Sequence, residues 1–295
     1  MAEPWMIGTL LQWTKQYFRD KGVENPRLDA DVLLSSLLGK ERIYLYVHFD
    51  QPMEQEELAA FREMVRRRAT RVPVAYITGR REFMGLEFQV SPAVLIPRPD
   101  TEILVEAAME RLKEIPDGVV LDVGTGSGAV LIGTLSRTAG CRGVGVDISP
   151  QALDVAGANA LRLLEPGRAT FLQADLFPPE PVLFDAILSN PPYVTSGEMK
   201  ELAPEVRQEP ELALHGGEDG LDFYRRLVAG GHRYLKPGGF MAVEVGAGQA
   251  QAVSRMAARS GWRTEKIIPD YAGIERVVVL RHGEQEASAD ENTVL

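Results

Sequence analysis

The apolar residues of the first 72 positions have the spacing of amphipathic helices. Pro26 and Gly39 bracket one of these runs, and a proline at the start of a helix with a glycine after its end is the usual arrangement. The last run ends in several arginines, which the negative end of a helix dipole favours. The predicted helices extend from Ile7 to about Gly22, from Pro26 to Gly39, from Ile43 to Val47 and from Gln55 to Ala69. We therefore predict a small helical bundle domain at residues 1–72.

The pattern changes twice after this bundle. Within residues 73–98, the run from Glu82 to Val90 partly alternates and predicts a strand of a hairpin linker. A helix ending near Glu114 follows, and beyond Pro116 short apolar runs alternate with helical ones. This alternation predicts a doubly wound, mostly parallel α/β sheet of the Rossmann-like kind at residues 99–282. The polar and acidic residues 283–295 predict a disordered tail.

The sheet is predicted to have seven strands. They are Val119–Val123, Gly143–Val146, Ala169–Gln173, Phe184–Leu188, Phe240–Val245, Thr264–Ile268 and Arg276–Leu280. The helices between them are predicted to begin at Ser127, Pro150, Leu221 and Gln249.

Composition narrows the class of protein. No apolar stretch reaches the roughly 18 residues that a membrane span needs, and the N-terminus has no signal-peptide core. The single cysteine, Cys141, cannot form an internal disulfide, which favours a cytoplasmic protein with a buried thiol. Residues 1–90 carry 13 basic and 13 acidic residues, so the net charge of −10 belongs to the rest of the chain. An acidic second half argues against binding of nucleic acid by bulk electrostatics.

A glycine-rich turn follows the first predicted strand of the sheet. Gly124, Gly126 and Gly128 alternate with Thr125 and Ser127. Glycines let the backbone turn sharply and let a ligand approach without Cβ atoms in the way. The spacing is G-x-G-x-G, whereas dinucleotide-binding proteins have G-x-G-x-x-G. No lysine with a serine or threonine follows, which argues against a phosphate-binding P-loop. A structural turn without a ligand is the alternative interpretation of this motif alone.

Two carboxylates follow the next two predicted strands. Asp147 ends the second strand, where a carboxylate can accept hydrogen bonds from both hydroxyl groups of a ribose. Asp175 and Leu176 follow the third strand, where they can meet the edge and the face of an adenine ring. Because the carboxyl ends of parallel strands meet at one edge of the sheet, we expect these residues and the glycine turn to share one ligand.

The segment Asn190-Pro191-Pro192-Tyr193 follows the predicted strand Phe184–Leu188. Two consecutive prolines remove two backbone donors and fix φ, so the strand ends here in a stiff loop. The amide of Asn190 offers one acceptor and two donors, and Tyr193 offers a flat apolar face. The loop can therefore bind a planar NH₂ group, with the Asn190 side-chain oxygen and the Pro191 carbonyl as acceptors. An ordinary Asx-Pro turn is the alternative.

Residues 116–280 together resemble class I S-adenosylmethionine-dependent methyltransferases. The resemblance implies that S-adenosyl-L-methionine is the cofactor and that the glycine turn lies against its methionine part. It implies that Asp147, Asp175 and Leu176 hold the ribose and adenine, and that Asn190 also borders the cofactor. The Asn-Pro-Pro-Tyr loop resembles the one in methyltransferases that act on the NH₂ groups of DNA adenine, RNA guanine or protein glutamine. In such enzymes positioning of the nitrogen carries catalysis and no strong base is needed.

Three further segments resemble one family among these. They are Pro73–Gly79 with Glu82-Phe83, Ile96–Glu102 and Glu209–Leu221. The family is that of the peptide chain release factor glutamine N5-methyltransferases (PrmC/HemK), and the resemblance extends over the whole chain except the tail. It implies methylation of the glutamine in the Gly-Gly-Gln motif of class 1 release factors, with residues 1–72 recognising the substrate. It also implies a monomeric cytoplasmic enzyme with no metal, no membrane and no direct nucleic-acid partner.

A nucleic-acid amino-methyltransferase, acting on adenine N6 or guanine N2, is the alternative, because such enzymes share the Asn-Pro-Pro-Tyr loop. The arginine cluster on the last helix of the bundle is the feature that favours this alternative. Its members are Arg62, Arg66, Arg67, Arg68 and Arg71. The cluster could equally be a solvated helix face or meet an acidic patch on a protein partner.

Overall fold

The computed structural model describes residues 4–180 and 182–283. The predicted tail therefore lies, apart from Gly283, outside the described residues. In the part of the chain that the structure describes, no helix is both long and apolar enough to cross a membrane.

The N-terminal region consists of helices packed around one apolar core. The helices are α1 (Ile7–Asp20), α2 (Pro26–Leu38), α3 (Arg42–Val47), α4 (Gln55–Ala69) and α5 (Val74–Thr78). The four predicted helices are confirmed, and Gly39 ends α2 with a left-handed φ of 63°. Leu33, Leu34, Phe18 and Phe61 are almost completely buried between these helices. Helix α5 was not predicted, because five residues are too few to show a helical period.

A hairpin connects this region to the second half of the chain. Its strands are β1 (Arg80–Phe83) and β2 (Leu86–Gln89), which pair in antiparallel orientation. The prediction of one strand from Glu82 to Val90 was wrong, because that run contains both the turn and the second strand. Met84 and Gly85 have φ angles of 53° and 71°, which make the turn.

The second half is a seven-stranded sheet with the order β5-β4-β3-β6-β7-β9-β8. The strands are β3 (Val119–Val123), β4 (Arg142–Asp147), β5 (Ala169–Gln173), β6 (Phe184–Ser189), β7 (Leu235–Glu244), β8 (Trp262–Pro269) and β9 (Glu275–His282). The helices are α6 (Glu102–Leu112), α7 (Ala129–Leu135), α8 (Pro150–Leu163), α9 (Asp222–Gly230) and α10 (Ala250–Arg259). Strands β3 to β7 pair in parallel, and β9 is antiparallel to both of its neighbours.

This architecture confirms the predicted doubly wound, mostly parallel sheet. Apolar side chains on both sheet faces are covered by helices, which explains why the strands contain almost continuous apolar runs. Strand β7 begins at Leu235, five residues earlier than predicted, because its Pro237 and two following glycines resemble a turn in sequence. They form an irregularity in the pairing with β6, where the register shifts between Phe184 and Ala186.

The strand order reverses direction between β3 and β6. The chain runs outward from β3 through β4 to β5, then returns to the other side of β3 with β6. Val123 at the end of β3 lies opposite Ser189 at the end of β6, so the loops that follow begin at the same level. A crevice at this switch point, beyond the carboxyl ends of the strands, is where open α/β sheets bind their ligands.

Candidate active site

The glycine turn after β3 forms one wall of this crevice. Gly124 and Gly126 have φ angles of 72° and 55°, and a Cβ atom on either would meet no protein atom within 4 Å. These two positions therefore face open space in which a ligand can approach the backbone. Below them, the Thr125 hydroxyl group donates to the Asp122 carboxylate at 2.6 Å. Through this bond Asp122 supports the turn from inside the protein, and burial raises the pKa of its carboxyl group to about 7.

Asp147 at the end of β4 is tied to the same turn. One carboxylate oxygen accepts a hydrogen bond from the Gly126 N–H and the other accepts from the Ser149 N–H, both at 2.9 Å. A carboxylate has about four lone-pair sites, so two such bonds leave capacity for a ligand. Asp147 thus lies where the sequence predicted a ribose-binding acid, and it also holds the glycine turn in shape.

A single cleft is lined by most of the predicted cofactor residues. They are Gly124, Thr125, Gly126, Ser127, Asp147, Asp175, Leu176 and Asn190. The exception is Gly128, whose φ is 80° and whose Cβ would lie 2.8 Å from the Ile132 side chain and 3.3 Å from the Ala156 Cβ. Gly128 therefore allows α7 to start close against α8, and its place in the motif is explained by packing.

The lining of the cleft also includes Asp175, Leu176 and an aromatic side chain that the sequence did not single out. Asp175 is half exposed and forms an ion pair with Arg226 at 2.8 Å. Leu176 has a φ of 72°, which is uncommon for a residue with a branched side chain. Phe223 on α9 also lines the cleft. It lies on the same helix as the Arg226 that pairs with Asp175, and no motif in the sequence marked it.

A second pocket adjoins the cleft on the other side of Asn190. It is lined by Leu95, Arg98, Asn190, Tyr193, Val194, Leu202, Val206, Ala213 and Leu214. Asn190, Leu95, Arg98 and Ala213 line both spaces. Pro192 lines only the first, Tyr193 lines only the second, and Pro191 is buried and lines neither. Burial raises the pKa of Tyr193 to about 12, so its phenol is neutral at physiological pH.

The Asn-Pro-Pro-Tyr loop is held by neighbouring backbone. The Ser189 hydroxyl group donates to the Val123 carbonyl at 2.7 Å, which fixes the loop to β3 at its start. Val194 exchanges two backbone hydrogen bonds with the segment Leu214–Gly216 at 2.9 and 2.8 Å. A Cβ atom on Gly216 would lie 2.7 Å from both the Pro192 carbonyl oxygen and the Tyr193 Cα atom. Only glycine allows this close approach, which gives the Glu209–Leu221 segment a physical role.

Asn190 itself is oriented by a residue far away in sequence. Its side-chain nitrogen donates to the Thr101 hydroxyl oxygen at 3.1 Å. Thr101 is 3% exposed and precedes α6, and its neighbour in space is Glu244, which is 2% exposed. Burial raises the pKa of Glu244 to about 7, against a hydrogen bond from Thr101 that lowers it. No role was predicted for Thr101 or Glu244, although Glu244 lies at the end of a strand, as Asp147 does, and could have been noticed for the same reason.

The arginine cluster is divided between exposed and buried positions. The Arg68 side chain is 6% exposed, and it donates to Asp29 of α2 at 2.6 Å and to Glu205 at 2.9 Å. Arg71 also pairs with Glu205 at 2.9 Å. Glu205 belongs to the segment that follows the Asn-Pro-Pro-Tyr loop. Arg68 and Arg71 therefore attach the helical region to the segment beside the second pocket. Of the other members, Arg67 donates to the Tyr76 carbonyl at 3.2 Å, Arg66 forms an exposed pair with Glu63, and Arg62 is exposed.

Comparisons with known proteins agree with this arrangement. Residues 9–79 match the family model described as the PrmC N-terminal domain, and residues 99–257 match the model described as the methyltransferase small domain. A release factor glutamine methyltransferase from Geobacter sulfurreducens is 47% identical over 283 residues, which are 95% of this chain and 98% of the relative. This chain belongs to the release factor glutamine methyltransferase family.

A second curated relative and a solved structure are also similar to this chain. A release factor glutamine methyltransferase from Moorella thermoacetica is 42% identical over 90% of this chain and 94% of its own length. Among solved structures, a methyltransferase from Pyrococcus furiosus has a TM-score of 0.52 at 18% identity, covering 68% of this chain and 90% of its own. At this identity the likeness shows the fold alone. The resemblance stated from the sequence motifs is confirmed by the family models and the relatives.

Proposed function

We propose that this protein transfers a methyl group from S-adenosyl-L-methionine to the side-chain amide nitrogen, N5, of the glutamine in the Gly-Gly-Gln motif of class 1 release factors. Two pockets meet at Asn190, and this is the observation that carries the proposal. One pocket has the glycine turn and the strand-end acids, and the other has the tyrosine face. A cofactor in the first and a planar amide in the second would come together at the Asn190 side chain. The family named in the comparisons supports the same chemistry.

The residues of the first pocket fit S-adenosyl-L-methionine. The open space at Gly124 and Gly126 accommodates the methionine part beside the backbone. Asp147 has unused acceptor capacity for ribose hydroxyl groups, and Asp175 with Leu176 borders the space proposed for adenine. Phe223, from the helix whose Arg226 pairs with Asp175, adds an aromatic side chain to the lining of the cleft. When bound, the cofactor supplies an electrophilic methyl group on its sulfonium centre.

The residues of the asparagine loop would orient the nitrogen that attacks. An amide nitrogen is a weak nucleophile because its lone pair is delocalised into the carbonyl group. The Asn190 side-chain oxygen, which borders both pockets, can accept one N–H of the substrate amide. The carbonyl of Pro191, which lines neither pocket in the structure, would accept the other N–H once the substrate is bound, and the two bonds would aim the nitrogen at the methyl group. The neutral Tyr193 ring would pack against the amide plane. Transfer would leave the C–S electron pair on sulfur, so the departing cofactor would be the neutral thioether S-adenosyl-L-homocysteine, and the methylated nitrogen would lose one N–H proton to solvent. The side chains of the loop would therefore orient the nitrogen and would not need to supply a strong base.

We also propose that three parts of the chain have separate roles. Residues 1–72 would form the part that recognises the release factor, residues 73–98 the hairpin linker and residues 99–282 the catalytic domain. The acidic half of the chain would favour a basic substrate region, since opposite charge speeds encounter and suppresses wrong partners. We further propose that the protein acts as a monomer in the cytoplasm and uses neither a metal ion nor a membrane.

The alternative of nucleic-acid amino-methylation has no specific observation in its favour. The arginine cluster was the feature that suggested it, but Arg68 and Arg71 pair with Glu205, Arg66 pairs with Glu63 and Arg67 donates to the Tyr76 carbonyl. Arg62 is the remaining exposed member, and one exposed arginine is not a basic surface. The fold does not separate the two substrates, because both kinds of enzyme can use the same sheet.

The proposal is tested by incubating the purified protein with isotope-labelled S-adenosyl-L-methionine and purified class 1 release factor. We expect mass spectrometry to place one methyl group on the glutamine of the Gly-Gly-Gln motif, and no label on a release factor whose glutamine is replaced by alanine. Asn190→Ala should lower the single-turnover rate by about 10²–10³, the usual cost of losing one preorganised hydrogen bond. Asn190→Asp, which keeps the oxygen but removes the NH₂ group, should also impair transfer. Label only on nucleic acid, or an Asn190→Ala enzyme at the wild-type rate, would overturn the proposal.

A further inference from the structure

Glu244, Thr101 and Asn190 lie in a row at the carboxyl end of the central strands. In the parallel pairing of β6 with β7, Ser189 lies opposite Val243, so the next residues along the two strands, Asn190 and Glu244, are at the same level. Thr101 connects the two residues: its hydroxyl oxygen accepts a hydrogen bond from the Asn190 side-chain nitrogen at 3.1 Å, and its hydroxyl group lies beside the Glu244 carboxylate and favours the ionised form of that group. Thr101 and Glu244 are both buried, at 3% and 2% exposure.

The single proton of a threonine hydroxyl group decides which end of Asn190 faces the crevice. A carboxylate can only accept hydrogen bonds, so an ionised Glu244 takes the proton of Thr101. The Thr101 oxygen is then left as an acceptor, and it must receive the NH₂ end of the Asn190 amide. The amide oxygen consequently points away from Thr101 and is free to accept from a substrate. Without this constraint, the two ends of an asparagine amide are nearly the same in shape and can exchange places.

We propose that Glu244, acting through Thr101, is a positioning residue that fixes the orientation of the Asn190 amide for methyl transfer. This inference rests on the proposed function and goes beyond it, since neither residue touches the substrate amide in the proposed arrangement. One Glu244 carboxylate oxygen is buried and receives no hydrogen bond from the described residues. A buried carboxyl group with one unpaired oxygen is costly to maintain, and stability alone gives no reason for it.

Charged and polar groups from several elements influence the ionisation of the Glu244 carboxyl group. Arg276 on β9 and Arg98 before α6 favour the ionised form, whereas Asp100 beside Thr101 disfavours it. Tyr193 and Tyr224 also face this carboxyl group, and the Tyr224 hydroxyl group donates to the Glu244 backbone carbonyl at 2.8 Å. Burial outweighs these effects and raises the pKa to about 7. A protonated Glu244 can donate to Thr101, which releases the hydroxyl proton toward Asn190 and removes the constraint on the amide.

The substitution Thr101→Val removes the hydroxyl group between Glu244 and Asn190 while keeping the size of the side chain, and so tests the proposed role of Thr101. We expect kcat for release factor methylation to fall about 10- to 100-fold with KM changed less than about twofold, because orientation is lost and binding is not. Thr101→Ser keeps the hydroxyl group and should restore most of the rate. Thr134→Val removes another buried hydroxyl group, on α7, and should leave kcat unchanged. Equal kcat in Thr101→Val and the wild type would overturn the inference.

A second measurement does not depend on activity. In protein labelled with ¹³C at glutamate and ¹⁵N at asparagine, the Glu244 carboxyl signal should titrate near neutral pH, and the Asn190 side-chain NH₂ signals should move with the same midpoint. In Glu244→Gln both transitions should disappear, and in Thr101→Val only the Asn190 signals should stop following the titration. Asn190 signals that ignore the Glu244 titration in the wild type would overturn the inference.

The failure of this inference is distinguishable from failure of the proposed function. If the wild-type protein methylates no release factor, the proposed function fails. If it does so and Thr101→Val is equally fast, the function stands and only the role of Glu244 and Thr101 is refuted. Glu244→Gln supports the inference if it loses about tenfold in kcat and also loses a decline in rate as the pH falls through about 7.

Discussion

Arg68 offers a direct test of how the helical region is joined to the catalytic sheet. Its Nε group donates to Asp29 at 2.6 Å and its Nη2 group donates to Glu205 at 2.9 Å, with only 6% of the side chain exposed. Arg68→Met keeps much of the volume and leaves both carboxylates without this partner. Removing one member of a buried ion pair costs about 3–5 kcal/mol, because the remaining charge is uncompensated. Glu205 retains Arg71, so we expect a loss toward the lower end of that range.

The matched control lies on the same helix. Arg66 pairs with Glu63 at 2.7 Å, but their side chains are 69% and 54% exposed. Exposed pairs contribute about 0–1 kcal/mol, so Arg66→Met should change the free energy of unfolding by less than about 1 kcal/mol. Urea denaturation followed by circular dichroism measures both variants against the wild type. If Arg68→Met and Arg66→Met lose the same amount, the buried network does not stabilise the junction.

The same comparison has a pH dependence with a definite sign. Burial raises the pKa of Asp29 and Arg68 opposes that rise, so the pKa should rise further in Arg68→Met. An acid with a raised pKa in the folded state stabilises the protein at low pH, and this contribution is lost as the pH rises. For Glu205, burial raises the pKa, but hydrogen bonds led by that from Arg68 outweigh burial, and the net pKa is lowered. The Asp29 effect makes the difference in unfolding free energy between wild type and Arg68→Met larger at about pH 8 than at about pH 5. The Glu205 contribution is present above its ordinary pKa of 4.5 and is lost as the pH falls below that value, so it acts in the same direction at lower pH. A difference that narrows with rising pH would contradict this reasoning.

Three further predictions concern the glycine turn. Asp147→Ala removes the acceptor of the Gly126 N–H and the proposed acceptor of the ribose hydroxyl groups, and should weaken S-adenosyl-L-methionine binding about tenfold or more in calorimetric titration; unchanged affinity would refute the proposed placement. Gly145→Ala puts a Cβ atom 2.7 Å from the Phe171 ring and 2.8 Å from the Thr125 hydroxyl oxygen, and should lower stability by about 1–3 kcal/mol, measured as a lower Tm. Asp122 has its pKa raised by burial to about 7, so its contribution to stability should be lost between about pH 4 and pH 7. Asp122→Asn should flatten that decline, and an unchanged slope of Tm against pH would contradict the assignment.

The fold could be predicted in most respects because each element has a local signature. Apolar periodicity, with proline and glycine at the boundaries, predicted four helices of the N-terminal bundle and all seven strands of the sheet. The errors in the predicted strand boundaries occur where residues typical of a turn lie within a strand, or where a turn continues the alternating pattern of a strand. The glycines and proline after Leu235 favour a turn in sequence but lie in an irregular part of β7, since pairing with β6 holds them in place. The turn at Met84-Gly85 was missed because alternation continues across it.

The site was predictable where topology alone brings residues together. Parallel strands end at one edge, so the glycine turn, Asp147, Asp175 and Asn190 could be assigned to one crevice. Thr101 and Phe223 were not found, because their positions depend on how helices pack over that edge. Thr101 is 89 residues away from Asn190 in the chain, and no local sequence pattern predicts a contact between residues at that separation.

The asparagine loop shows why a short motif does not by itself define a catalytic geometry. Two prolines limit the backbone, but the side chain of Asn190 receives its orientation from Thr101, outside the motif. The segment Glu209–Leu221 supports the loop through backbone pairing, and its buried Glu209 accepts from the Ile96 N–H at 3.0 Å and from Arg98. Arg98 lines both pockets. A shift of this segment would therefore displace the wall shared by the two pockets together with the loop between them. This coupling gives a physical reason why two of the three segments beyond the asparagine loop, Ile96–Glu102 and Glu209–Leu221, identified the family more specifically than the loop did.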